Sequence, residues 1–264
     1  MPALPVYPTA EPFLPAKLTL PALRDASKTC QGCDLYKCAT QTVFGEGPAD
    51  ARVMFVGEQP GDQEDQAGKP FVGPSGAMLD QALDKVGIDR GEVYVTNAVK
   101  HFKFEQRGKR RIHAKPSARQ IAACKPWLKA ELEVIRPDVI VALGATAAQS
   151  MLGPQFRVTQ QRGQPLRDTT WAPCVIATVH PSSLLRAPDE AARREAVAAF
   201  ERDLRAVKKE MDALKGAGKR APQAARGAAA HPGTATREAA EKSRTRSPQR
   251  RGRKAAESAQ GKLF

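Results

Sequence analysis

The feature that most constrains this chain is an alternation. Four short apolar runs, residues 52–56, 93–99, 138–143 and 175–179, are rich in Val and Ile, and stretches with helical spacing at 75–86, 117–135 and 145–152 separate them. Runs without a polar face suit strands buried on both sides, and a helix between consecutive strands makes those strands parallel. The expectation is an α/β fold: one three-layer α/β/α domain around a central, mostly parallel four-stranded sheet. Ser117 reads as the N-cap of its helix. A last helix over 189–214, with Ala192, Val197, Phe200, Leu204 and Val207 on one face, closes the domain.

The two ends read differently. Residues 1–29 carry six prolines and predict an irregular arm, leaving residues 30–214 as the domain. From residue 215 to the end there are thirteen Lys or Arg against three Glu, which supplies most of the formal net charge of +14. Such a tail buries too little apolar surface to offset its ordering entropy, so disorder is expected there, and its charge suits a polyanion such as nucleic acid. No apolar stretch is long enough to span a bilayer, and the first residues lack a charged start followed by an apolar block. A soluble, cytoplasmic, nucleoid-associated monomer is expected. Five cysteines are an odd set for a disulfide framework.

The stretch GEQPGDQEDQAGKPFVGPSG, residues 57–76, follows the first apolar run. Its glycines and prolines oppose regular structure, and Glu58, Asp62, Glu64 and Asp65 load it with carboxylates. A loop of this kind at the end of a strand lies where open α/β sheets bind ligands. It matches neither G-x-G-x-x-G nor G-x-x-x-x-G-K-S/T, so a dinucleotide or nucleoside triphosphate is not indicated.

Three further signals carry chemistry. Cys30-x-x-Cys33 fits zinc, a redox pair, iron–sulfur ligation or two buried thiols; Cys124 with His101 or Cys38 could complete a ligand set, while Cys174 is isolated. His180 follows the last apolar run, where it either enters the same crevice as the 57–76 loop or caps the next helix; its ordinary pKa of about 6.5 suits proton traffic near neutrality. In KHFKFEQRGKRRIHAKP, residues 100–116, Lys100, Lys103, Arg107, Lys109, Arg110, Arg111 and Lys115 alternate with Phe102 and Phe104, as where a phosphate backbone meets cations and a base stacks. Surrounding cations favour the neutral, nucleophilic form of His113. A basic clamp that uses His113 as one more donor fits equally well.

Together, the 57–76 loop, VTNAVK, HPSSLL and the early Cys30-x-x-Cys33 resemble the iron–sulfur, family 4-like branch of the uracil-DNA glycosylase superfamily, and KRRIH resembles its UdgX type. The resemblance runs from about Cys30 to Val207. It implies excision of uracil from DNA, single-stranded DNA being the expected substrate, after the base is extruded into a pocket. By resemblance, Phe71 stacks on the base, Asn97 binds its polar edge and His180 donates to O2 of the leaving base. Gly57, Gln59, Asp62 and Ser182 complete the substrate pocket, while Lys109, Arg110, Arg111 and Arg186 meet the DNA backbone. His113 then captures C1′ of the abasic sugar covalently, with Glu58 orienting or deprotonating its partner. Two alternatives are a turnover glycosylase that uses water and a non-catalytic iron–sulfur protein that binds uracil or damaged DNA. The resemblance also implies a [4Fe-4S] cluster held by Cys30, Cys33, His101 and Cys124, with Cys38 as the alternative fourth ligand. Separately, the ending Gln260-Gly261-Lys262-Leu263-Phe264 resembles Q-x-x-L-F peptides that dock on the bacterial sliding clamp through Gln260, Leu263 and Phe264.

Overall fold

The computed structural model describes residues 9–167 and 169–216. The basic tail, with its clamp-like Gln260, Leu263 and Phe264, lies outside the described residues. In chain order the elements are α1 (Leu20–Ser27), β1 (Val53–Gly57), α2 (Asp62–Ala67), α3 (Pro74–Lys85), β2 (Val93–Asn97), β3 (Phe104–Arg107), β4 (Arg110–His113), α4 (Ala118–Ile135), β5 (Val139–Leu143), α5 (Ala145–Leu152), α6 (Val158–Gln161), β6 (Pro165–Arg167), β7 (Cys174–Thr178), α7 (Pro181–Leu184) and α8 (Glu190–Gly216).

The four apolar runs form parallel β2, β1, β5 and β7, in that order across the sheet. Alternate residues of each strand face opposite sides. Met54, Val56, Tyr94, Ile140, Ala142, Val175 and Ala177 face Trp127 and Leu128 of α4 and Ala147 and Ala148 of α5. Val53, Phe55, Val93, Val95, Val139, Val141 and Ile176 face Leu79 and Leu83 of α3 and Phe200, Leu204 and Val207 of α8. These two cores make the three expected layers. A fifth strand, β6, pairs antiparallel with β7 at the edge. Its three residues carry no periodicity, and its proline suits an edge position.

Two segments depart from the sequence reading. The proline-rich arm is helical at α1, where Thr19 caps the first turn by accepting from Ala22 N–H. A helix of eight residues is marginal in water. Burial of Leu20 and Leu23, about 1.5–3 kcal/mol each, in the core that includes α4 tips the balance. The acidic loop likewise contains α2. It begins after Gly61, places Asp62, Glu64 and Asp65 in the first turn where the helix dipole favours negative charge, and ends at left-handed Gly68.

The chain leaves β1 toward β2 on one side and continues from β5 toward β7 on the other. The strand order therefore reverses between β1 and β5, which opens a crevice beyond their carboxyl ends. The 57–76 loop, the end of β2 and the β7–α7 turn meet at this edge. Among the described residues, no helix is long and apolar enough to cross a membrane.

Candidate active site

The floor of the crevice is Gly57, whose register partner in the sheet is Asn97. A methyl group built on Gly57 would run into Asn97 Oδ1 and come within 2.9 Å of the Phe71 ring tip. The glycine is therefore required by the convergence of those two side chains. Phe71 has φ of 56°, a left-handed backbone that costs a non-glycine residue about 1–3 kcal/mol. Its neighbours impose that conformation: the Phe71 carbonyl occupies the space where Gly76 would carry a Cβ, and Glu64 spans the loop by accepting from Gly61 N–H at 3.1 Å and Gly73 N–H at 2.7 Å.

Across from Phe71 stands His180, the ring centroids 6.4 Å apart and inclined by 26°. His180 does cap α7: Nδ1 accepts from Ser182 N–H at 3.2 Å and lies 2.9 Å from Ser182 Oγ. Because the amide can only donate, Nδ1 of the neutral ring is the acceptor and Nε2 carries the proton. Burial pulls the pKa down to about 4, helped by His113 and Arg186, so the ring is neutral near pH 7. The capping and functional readings are thus compatible. Ser182 acts on His180 and holds its tautomer. Gly144, between β5 and α5 with φ of 89°, packs against the same residue, since a Cβ there would stand 2.9 Å from His180 Cβ.

The basic segment folds as the β3–β4 hairpin, closed by left-handed Gly108. It holds Lys109 and Arg110 out to solvent and ends at half-exposed His113, whose Nε2 is 3.5 Å from Glu58 Oε1. Arg186, beyond α7, is also exposed. All three cations are open to solvent.

Several other assignments change. Gln59 is buried, and its amide is spent on the hairpin base: Nε2 donates to the Lys103 and Ala114 carbonyls and Oε1 accepts from Lys103 N–H, all at 3.1 Å. It holds the hairpin in place and offers no free N–H to a substrate. Arg111, expected on the DNA backbone, turns inward onto Asp62 (2.5 Å) and Asp65 (2.6 Å) and lies over the rings of Phe102 and Phe104. Asp62, expected in the pocket, is engaged with Arg111 and accepts from Gln66. Phe102 is buried beneath Arg111 and unavailable to stack on a base. Lys100 is fully buried against Glu131 and closed off from solvent. The missed signal was the loop's carboxylates: Asp65, wholly buried, also accepts from Thr40 N–H and so ties the hairpin to the segment after Cys38.

The cysteine signal divides. Cys30, Cys33 and Cys124 are buried, whereas Cys38 is exposed. Cys30 Sγ accepts from Trp127 Nε1–H at 3.2 Å and Gly32 N–H at 3.5 Å, and Cys124 Sγ accepts from Lys100 N–H at 3.2 Å. Burial pushes the Cys124 thiol up to about 12, and Cys33 and Cys30 are near enough to push in the same direction. Buried thiols surrounded by N–H donors fit the sulfur ligands of an iron–sulfur cluster. His101, also buried and held down to about 4 by that burial, follows Lys100 directly. Among the described residues, no three His, Cys, Asp or Glu side chains close into a ready ligand group.

A family model described as the uracil DNA glycosylase superfamily matches residues 44–205. The chain belongs to that superfamily. Its relatives include the Type-4 uracil-DNA glycosylase of Thermotoga maritima, 41% identical over 184 residues, which are 69% of this chain and 92% of that protein. The Type-4 uracil-DNA glycosylase of Pyrobaculum aerophilum is 33% identical over 179 residues, 65% of this chain and 87% of that protein. A Type-5 uracil-DNA glycosylase from the same organism is 34% identical over 121 residues, 40% of this chain and half of that protein. The superfamily match spans Gly57, Phe71, Asn97, His113 and His180, and it stops before the basic tail.

Proposed function

We propose that the protein excises uracil from DNA, as the names of its relatives describe for them, and captures the abasic sugar covalently on His113. The observation that carries the second half is the approach of His113 Nε2 to the Glu58 carboxylate at the mouth of the crevice. The extruded base stacks on Phe71, and Asn97 reads its polar edge. His180 Nε2–H donates to O2 as the glycosidic bond breaks and negative charge gathers on uracil. A neutral donor already in place where charge develops is worth on the order of 10²–10³-fold.

Bond cleavage leaves a sugar cation beside the Glu58 carboxylate, which stabilises it. The imidazole of His113 forms a bond to C1′, and its ring proton passes to Glu58, so the product is a neutral alkylated imidazole. An imidazole held by the hairpin has a large effective concentration over water. Exposed Lys109, Arg110 and Arg186 hold the backbone on either side. Cys30, Cys33, Cys124 and His101 would hold a [4Fe-4S] cluster, whose contribution when bound is structural. Those residues would then join the N-terminal arm, the loop after β2 and α4, and a brown protein containing iron and sulfide is the expected preparation.

The deciding experiment mixes the protein with single-stranded DNA carrying one uracil, followed by heating in SDS. A heat-stable shifted band that His113→Ser abolishes supports capture. Free uracil without the band means that water is the nucleophile and the protein turns over. Neither product means a binding protein, which would overturn the enzymatic reading.

A further inference from the structure

The structure contains a second polar centre directly beneath the base-reading residue, and excision does not account for it. Lys100 and Glu131 are both fully buried, with Nζ 2.5 Å from Oε2. Every proton of the ammonium has an acceptor: Glu131 Oε2, Thr96 Oγ1 at 2.6 Å and the Asn97 carbonyl at 2.9 Å. Glu131 is equally occupied, accepting from Gly45 N–H, Tyr94 O–H and Thr96 O–H. Stability alone does not call for such a pair, because apolar residues of similar volume commonly serve a core as well or better. The pair's distinguishing act is the bond to the Asn97 carbonyl, made where the chain leaves β2. A charge-assisted bond there fixes the peptide plane and, through it, the direction in which the Asn97 amide leaves the backbone.

We propose that Lys100, anchored by Glu131, is a positioning residue for Asn97 and thereby sets recognition of the base. The proposal rests on reading Asn97 as the side chain that reads the base. Its test asks whether Lys100 acts through Asn97 or only through the core. Lys100→Met with Glu131→Gln removes both charges and keeps the acceptor for Tyr94 and Gly45. Lys100→Met alone, which also removes the bond to the Asn97 carbonyl, supplies the comparison if the double variant does not fold.

Single-turnover uracil release is measured for each variant with Asn97 intact and in Asn97→Ala, alongside the melting temperature. Residues sharing one hydrogen-bond network do not act additively, so the loss is expected to be about tenfold with Asn97 and under about twofold in Asn97→Ala. An equal loss in both backgrounds would show a general packing role and overturn the proposal, as would no loss when Asn97 is present. If Asn97→Ala itself releases uracil at the parent rate, the base-reading assignment fails and the proposal falls with it.

Discussion

His113 Nε2 lies 3.5 Å from Glu58 Oε1, although the histidine ends the hairpin and the glutamate follows the first sheet strand. That spacing separates two chemical duties within one site. In the proposed chemistry, loss of uracil depends on His180, Asn97 and Glu58, whereas capture adds His113. His113→Ser is expected to abolish the heat-stable band while uracil is still released. Glu58→Gln should slow release itself by on the order of 10²-fold, since it removes the charge facing the sugar cation. Release and adduct yield measured on the same samples check both.

The hairpin is held by Gln59 and by Arg111 between Asp62 and Asp65. Gln59→Ala or Arg111→Ala should therefore lower adduct yield by about 10²-fold, the cost of misplacing a reacting group by roughly 1 Å. Uracil release should suffer far less. Equal losses of both products would mean that the hairpin serves base excision as well.

Lys109 and Arg110 face solvent, but Arg111 already has two carboxylate partners. Plots of log affinity for DNA against log salt should flatten by about one unit of slope for each of Lys109→Ala and Arg110→Ala. Arg111→Ala should leave the slope unchanged, because two carboxylates already balance that guanidinium.

Gly57→Ala puts a methyl group where Asn97 Oδ1 and the Phe71 ring already meet. Uracil release should fall by about 10²-fold or more as that geometry shifts. Titration with DNA lacking uracil should still show ordinary backbone binding.

His180 titrates near 4 in the folded protein against about 6.5 in an unfolded chain. Between those values the unfolded state binds more protons, so this residue's contribution makes stability rise with pH across the window and lost on acidification. His180→Gln should remove that part of the slope in denaturant titrations at several pH values. Uracil release should show no acid-side loss from His180 until the pH approaches about 4, because the neutral ring is the donor.

The sheet was legible because its code is local: Val and Ile runs separated by helical spacing specify parallel strands without knowledge of partners. Two smaller elements were hidden for opposite reasons. Three-residue β6 is too short to show a period, and α1 depends on burying Leu20 and Leu23 in a core built from distant sequence. Around the crevice, the place of His180 was readable from its position after the last apolar run, whereas Gly57 and Asn97 entered only through the family resemblance. Lys100 and Arg111 were misread because a cation in a cationic run reveals nothing of its partner, and Glu131 and Asp65 lie far away in sequence. Gln59 was misread because an amide suits a loop carbonyl as well as a base.

Among the described residues, the β3–β4 hairpin pairs with itself and with no other strand. It meets the domain through side-chain sockets at Gln59, Asp62 and Asp65. An attachment of that kind is portable: the strands, turn and His113 form one cassette, and a recipient need supply only the three sockets and an acid opposite the histidine. On the proposed chemistry, a glycosylase that releases its product would become a suicide enzyme by acquiring one short insertion, its base pocket untouched.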